Sequence, residues 1–144
     1  MVANVIYRGP AEREPKTLTR QVSAQSLPGA AVIIAGGKFA AASAATGRWL
    51  ILSNNRFVGQ SISEMYSTND TANAYRVEGE QEYNVQLAAG TYTAQQELTI
   101  GTGGIFKAAT TGNLVVAAFD ESATRTLSAQ GFGDIVILSR AYLK

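Results

Sequence analysis

Between residues 84 and 121 glycine falls at positions 90, 101, 103, 104 and 112, and the segments it separates are short. An ordinary helix needs roughly 8–20 residues that hold a 3.6-residue apolar period, and no such run fits between these glycines. The segments carry strand patterning instead. Val85 and Leu87 share one face of an extended chain, Leu98 and Ile100 share another, and Ile105 and Phe106 open a third segment after the Gly103 and Gly104 pair. From Leu114 to Phe119 every position is apolar. That pattern predicts a central strand, buried on both faces or lying between two subunits. The chain is predicted to be all-β.

The flanking sequence extends the pattern. Residues 30–35 form an apolar run, Gly36 and Gly37 supply a two-residue turn able to take positive φ, and residues 38–43 return, which predicts a hairpin. The alanine-rich run at 39–45 has helical propensity, but it lies between Gly37 and Gly47 and is assigned to strand. Residues 48–52 predict a strand ended by Ser53, Asn54 and Asn55, with Trp49 expected in a core or an interface. Alternation at 75–78 predicts a strand with its charges in water. Residues 120–133 read as a polar return and 134–139 as the closing strand, with Tyr142 and Leu143 anchoring the tail.

A chain of 144 residues suits one domain with an appendage. Residues 1–28 are expected to form an extended N-terminal arm, because Pro10, Pro15 and Pro28 interrupt any regular element and extend the residues before them. Its charges, Arg8, Glu12, Arg13, Glu14, Lys16 and Arg20, form a mixed cluster with a basic excess. Such an arm is either a solvated tail or a segment that adds an edge strand to a partner through the backbone of residues 17–22. Residues 29–144 then make a single β-domain with a polar loop or insertion at 53–74. Within that loop Ile62, Met65 and Tyr66 are spaced for one or two helical turns. A connection of this length is a binding loop at a subunit interface or a flexible insertion.

Little in the chain points to catalysis. There is no histidine and no cysteine, so the commonest general base, the imidazole metal ligand, the thiolate and the disulfide are all missing. The serines have no histidine to deprotonate them and no Gly-x-Ser-x-Gly elbow occurs. Gly103 and Gly104 open no helix, which removes a phosphate-loop reading. Asp70, Glu78, Glu80 and Glu82 lack the spacing of a calcium loop. We expect no enzyme, no cofactor and no metal. A net charge of +1 gives no field to recruit nucleic acid or a membrane. No apolar run reaches the ~18–20 residues of a membrane span, and residues 1–8 do not read as a secretory signal, so a soluble, unprocessed chain is expected. Charged residues make up 16% of the chain, below the roughly 25% usual in soluble domains, which suggests surface hidden against partners.

Three runs carry a resemblance: Leu87, Ala88, Ala89 and Gly90; then Gln96, Glu97 and Leu98 with Gly101, Thr102, Gly103 and Gly104; then residues 112–121 ending in Asp120 and Glu121. Together they resemble the C-terminal β-domain of the head decoration, or cement, proteins of tailed bacteriophages. The resemblance covers about the last 60 residues. It implies a small β-barrel or β-tulip that binds the outer surface of an icosahedral capsid as a homotrimer, with the major capsid protein as partner. It also implies a chain made in the host cytoplasm and carried on the virion. On that footing Arg8, Arg13, Lys16, Thr17, Leu18, Thr19, Arg20 and Val22 are the candidate capsid contacts, and Trp49 and Phe119 the candidate oligomer interface. Two other readings stand beside it. One is a carbohydrate-binding β-domain using Trp49, Tyr66, Tyr75, Tyr83 and Tyr92 as stacking faces. The other is a different virion subunit, of tail or connector.

Overall fold

The computed structural model describes residues 5–144, and they form an all-β chain. After a short strand β1 (Tyr7–Gly9) and a 3-10 turn at Ala11–Arg13, the first half builds one sheet. Its strands are β2 (Thr17–Gln21), β3 (Ala31–Ala35), β4 (Lys38–Ala41), β5 (Leu50–Leu52) and β6 (Thr71–Arg76), in the order β2-β6-β5-β3-β4. The β3–β4 hairpin turns at Gly36 and Gly37, with φ of 59° and 76°. Positive φ at both central residues matches the twist of a two-residue hairpin, and glycine takes it without a steric penalty. The sheet curls until its two edge strands approach, and a parallel bridge joins Val22, just past β2, to Phe39 on β4. Inside the curl pack Val22, Val32, Phe39, Leu50, Leu52, Tyr66, Ala72 and Ala74, all buried.

The second half supplies β7 (Glu82–Leu87), β8 (Gly90–Tyr92), β9 (Glu97–Ile100), β10 (Phe106–Ala108), β11 (Leu114–Phe119), β12 (Arg125–Leu127) and β13 (Gly131–Leu143). Six strands make a sheet in the order β1-β7-β10-β9-β11-β13, while β8 and β12 pair as a separate ribbon. β13 also pairs with β7, from Gly131 opposite Leu87 to Val136 opposite Glu82. The pairings therefore run from β7 through β10, β9, β11 and β13 back to β7, with Phe106 and Leu87 as the single residue pair between β10 and β7. β11 lies between β9 and β13. Val115 through Phe119 are buried on both faces, as their unbroken apolar run requires.

The two sheets share a second core of Ile6, Ile51, Ile62, Tyr83, Leu87, Leu98, Phe106, Phe119 and Ile135. The joint is closest at Gly104, where a β-carbon would stand 2.1 Å from the Ala31 carbonyl oxygen of β3. Only a residue without that carbon lets the turn at Thr102–Gly104 sit on the first sheet.

Two sequence expectations need correction. The segment expected as a detached arm contributes one strand to each sheet, while residues 1–4 of that arm lie outside the described residues. β1 pairs with β7, β2 pairs with β6 from Thr17 opposite Tyr75 to Gln21 opposite Thr71, and Ile6 and Val22 are buried. The prolines break helix but leave extended chain, and extended chain beside an open strand edge completes a sheet. The helical turns expected from Ile62, Met65 and Tyr66 do not form either. Ile62 packs in the shared core, Tyr66 packs inside the first curl and Met65 points to solvent, so the three never shared one face. The one 3-10 turn in this part of the chain lies earlier, at Arg56–Val58, and the polar loop ends at Asp70 because Ala72 and Ala74 belong to β6.

Candidate interaction surfaces

The residues proposed as capsid contacts divide by side chain. Arg8 on β1 reaches Asp134 on β13 at 3.3 Å, a half-exposed ion pair. Val22 is wholly buried and offers no contact, while Leu18, half-buried, packs against the first core. The Oγ1 hydroxyl of Thr19 donates to the Asn73 amide oxygen at 2.7 Å. Arg13, Lys16, Thr17 and Arg20 face solvent. Arg13, Lys16 and Arg20 form no ion pair among the described residues. They lie along β2, an edge of the first sheet, and the turn before it.

The carbonyl of Arg13 is held from inside. Gln81, fully buried, donates from Nε2 to that carbonyl at 3.1 Å, while its Oε1 accepts from the Glu78 amide at 2.7 Å and the Tyr83 hydroxyl at 2.9 Å. The hydroxyl of Tyr7 donates to the carbonyls of Pro10 and Arg13. These bonds fasten the cationic turn to β7.

The proposed oligomer interface is corrected. Phe119 has no exposure and Trp49 only 8%, because the shared core consumes both: Trp49 meets Phe106 edge-on at 5.8 Å and Phe119 stacks obliquely on Tyr92 at 5.5 Å. Among the described residues, the aromatic platform that sugar stacking would need from Trp49, Tyr66, Tyr75, Tyr83 and Tyr92 is absent for the same reason. Tyr66, Tyr83 and Tyr92 are buried, and Tyr75 is half-buried against Tyr7 and Tyr83. Burial raises the Tyr83 hydroxyl pKa well above the phenol range and pushes that of Tyr66 up to about 12, which keeps both neutral as hydrogen-bond donors. Tyr66 donates to the Ser53 carbonyl at 2.5 Å.

A carboxylate cluster lies where β1, β7, β11 and β13 meet. Glu82 is raised above the usual carboxylate range by burial and then by Asp120; Asp120 is raised by burial and then by Asp134, with Arg8 opposing the effect at Glu82. Among the described residues no three acidic side chains gather as metal ligands would. Nearby, Glu121 accepts from Arg125 at 2.7 Å and from the Asp134 amide at 3.1 Å, which ties β12 to β13.

What the surface offers is apolar shape. Phe57 is 98% exposed and Val58 76%, both on the turn Arg56–Val58 that follows β5. At the other end of β5 a hollow of about 500 Å³ opens, lined by Leu18, Ile33, Ile34 and Leu50 with Arg48 and Arg76 on its wall. Sequence reasoning found neither feature. Phe57 and Val58 stand in a stretch that reads as polar, and the hollow draws on four strands and the loop at 46–48.

The fold and these surfaces define a two-sheet, all-β chain whose accessible features are an edge strand with unpaired cations, an apolar projection and an apolar hollow. No family model matches the sequence, and no curated protein matches it. The fold is similar to that in the crystal structure of the N base of head fiber gp8.5 in bacteriophage phi29, with a TM-score of 0.59 over 90% of this chain and 98% of that one. The two sequences are 11% identical, so the likeness is one of fold.

Proposed function

We propose that this chain is a structural subunit of a tailed-phage virion that attaches to the outer surface of the head and does no catalysis. The observation that carries the reading is the fold likeness to a head-fiber base across nearly the full length of both chains. The decoration-protein resemblance of residues 87–121 points to the same place on a virion by a separate route. The finer reading is that the chain binds the major capsid protein as a homotrimer and stabilises the shell, one weak contact at each repeated site adding to the next through multivalency. Closed rotational symmetry suits such an assembly to a symmetric site on the shell.

The proposed contact on the head is the solvent-facing part of the carried-over set: Arg13, Lys16, Thr17, Thr19 and Arg20, presented by the β2 edge and held by Gln81. The test is sedimentation of the full chain with purified, emptied heads of the phage that encodes it. Saturation at a fixed ratio per head is expected. The triple substitution Arg13→Glu, Lys16→Glu, Arg20→Glu, at three exposed positions, is expected to lower binding at least tenfold and leave the circular dichroism unchanged. Failure of the unaltered chain to sediment with heads refutes the reading.

A further inference from the structure

We infer that copies of this chain join head to tail, the Phe57–Val58 projection of one copy seating in the hollow formed by Leu18, Ile33, Ile34 and Leu50 of the next. This rests on the homo-oligomeric reading above and names the surface that serves it. A phenylalanine 98% exposed beside a valine 76% exposed is the most solvent-bared apolar pair in the described chain. An adjacent apolar pair left in water marks a contact site more than a lone exposed side chain does.

The hollow fits that occupant. A cavity of roughly 150 Å³ holds a benzene ring, and about 500 Å³ leaves room for the Phe57 ring and the Val58 side chain. Ile34 at its rim is 43% exposed, so the lining itself gains from cover. Charge agrees with shape. Arg48 and Arg76 on the wall form no ion pair among the described residues, and neither does Glu64, which shares with Val58 and Met65 the groove beside the projection. Seating the turn brings a free carboxylate toward two free guanidinium groups. Arg56, on the same turn, lines a separate hollow together with Phe57 and Glu14, and Glu14 there supplies a second carboxylate beside the projection.

Placement sets the symmetry. The projection follows the Leu52 end of β5, whereas the hollow opens at the Leu50 end, where Leu50 pairs with Arg76. Two different patches of one chain make a heterologous contact, and such contacts close into a ring or run on as a filament.

The test is light scattering of the purified full chain after size exclusion. The unaltered chain is expected at a multiple of its 15.2 kDa. The double variant Phe57→Ser, Val58→Ser and the single variant Ile34→Glu, all at exposed positions, are each expected at 15.2 kDa with unchanged circular dichroism. Mixed together they are expected to form a species of twice that mass, because one intact projection and one intact hollow remain. A monomeric unaltered chain, variants that keep its mass, or a mixture that stays monomeric each overturns the inference. Sedimentation with heads is run on the same proteins. Head binding by variants of unaltered mass refutes this contact and keeps the shell reading, whereas loss of head binding at unaltered mass assigns the projection to the shell and refutes the contact. Oligomers that dissociate as expected from a chain that ignores heads keep the contact and refute the shell reading.

Discussion

Gly103 and Gly104 are neighbours with almost the same backbone, φ of 77° and 73°, and they differ in what lies beyond them. A β-carbon at Gly103 meets only the Ile105 Cγ1 at 3.7 Å, an ordinary contact. At Gly104 it stands 2.1 Å from the Ala31 carbonyl oxygen and 3.0 Å from that residue's carbonyl carbon and amide nitrogen. These are backbone atoms of a strand paired on both sides, so no side-chain rotation relieves the contact. Gly103→Ala therefore pays the left-handed backbone cost, about 1–2 kcal/mol. Gly104→Ala pays the same plus an overpacking cost of about 1–3 kcal/mol. The entropy that alanine removes from the unfolded chain is common to both and cancels in the comparison.

At about 4 °C per kcal/mol for a chain of this size, Gly103→Ala is expected to lower the thermal midpoint by about 4–8 °C and Gly104→Ala by about 8–20 °C. Urea denaturation with matched slopes is the check, since an unchanged slope certifies a change in stability alone. Equal losses in the two variants would show that the two sheets do not meet through this turn, and with it the described joint would fall.

Three further perturbations follow from the same contacts. Gln81→Leu leaves the Glu78 amide and the Tyr83 hydroxyl without their acceptor, each at about 1–3 kcal/mol, and adding Tyr83→Phe is expected to recover part of the loss in a double-mutant cycle. The raised pKa values of Glu82 and Asp120 mean that the folded chain binds more protons than the unfolded one between the unfolded and folded values. That burden is absent below the unfolded value near pH 4 and grows as pH rises through the folded value, so Asp120→Asn is expected to stabilise at pH 7 and to do nothing near pH 3. Equal gains at both pH values would refute the charge argument. Deleting residues 1–20 removes β1 and all of β2 but Gln21, so loss of the folded circular dichroism is expected, where a detachable arm would have left it intact.

The all-β class, the Gly36–Gly37 hairpin and the doubly buried strand at 114–119 were legible because each is a local signal of period, turn chemistry or unbroken apolarity. What was not legible depends on pairing across the chain. Residues 17–22 show no apolar alternation, and their partner strand at 71–76 hides its inward face in Ala72 and Ala74, side chains too small to mark a strand. The same residues explain why β2 reads as a loose arm: a strand whose partner contributes alanines shows no strong hydrophobic stripe of its own. Trp49 and Phe119 were expected in core or interface, and sequence alone could not choose, since a strand inside one chain and a strand between two chains carry the same apolar pattern.

Part of the low charge of the chain comes from its interior. Ala31, Ala42, Ala45, Ala72, Ala74, Ala117 and Ala118 are all buried, and small side chains are what permit curled sheets of few strands to close on their own interiors, much as tapering barrels alternate small and large residues. These small apolar residues sit in the interior. Surface meant for a partner has to be sought among the large side chains left in water. Among the described residues, and excepting Tyr142 and Leu143 of the tail, those are Ile34, Phe57, Val58 and Met65. All four flank the first sheet, two on the projection, one beside it and one at the rim of the hollow. These large apolar side chains left in water thus belong to the half of the chain that precedes residues 87–121.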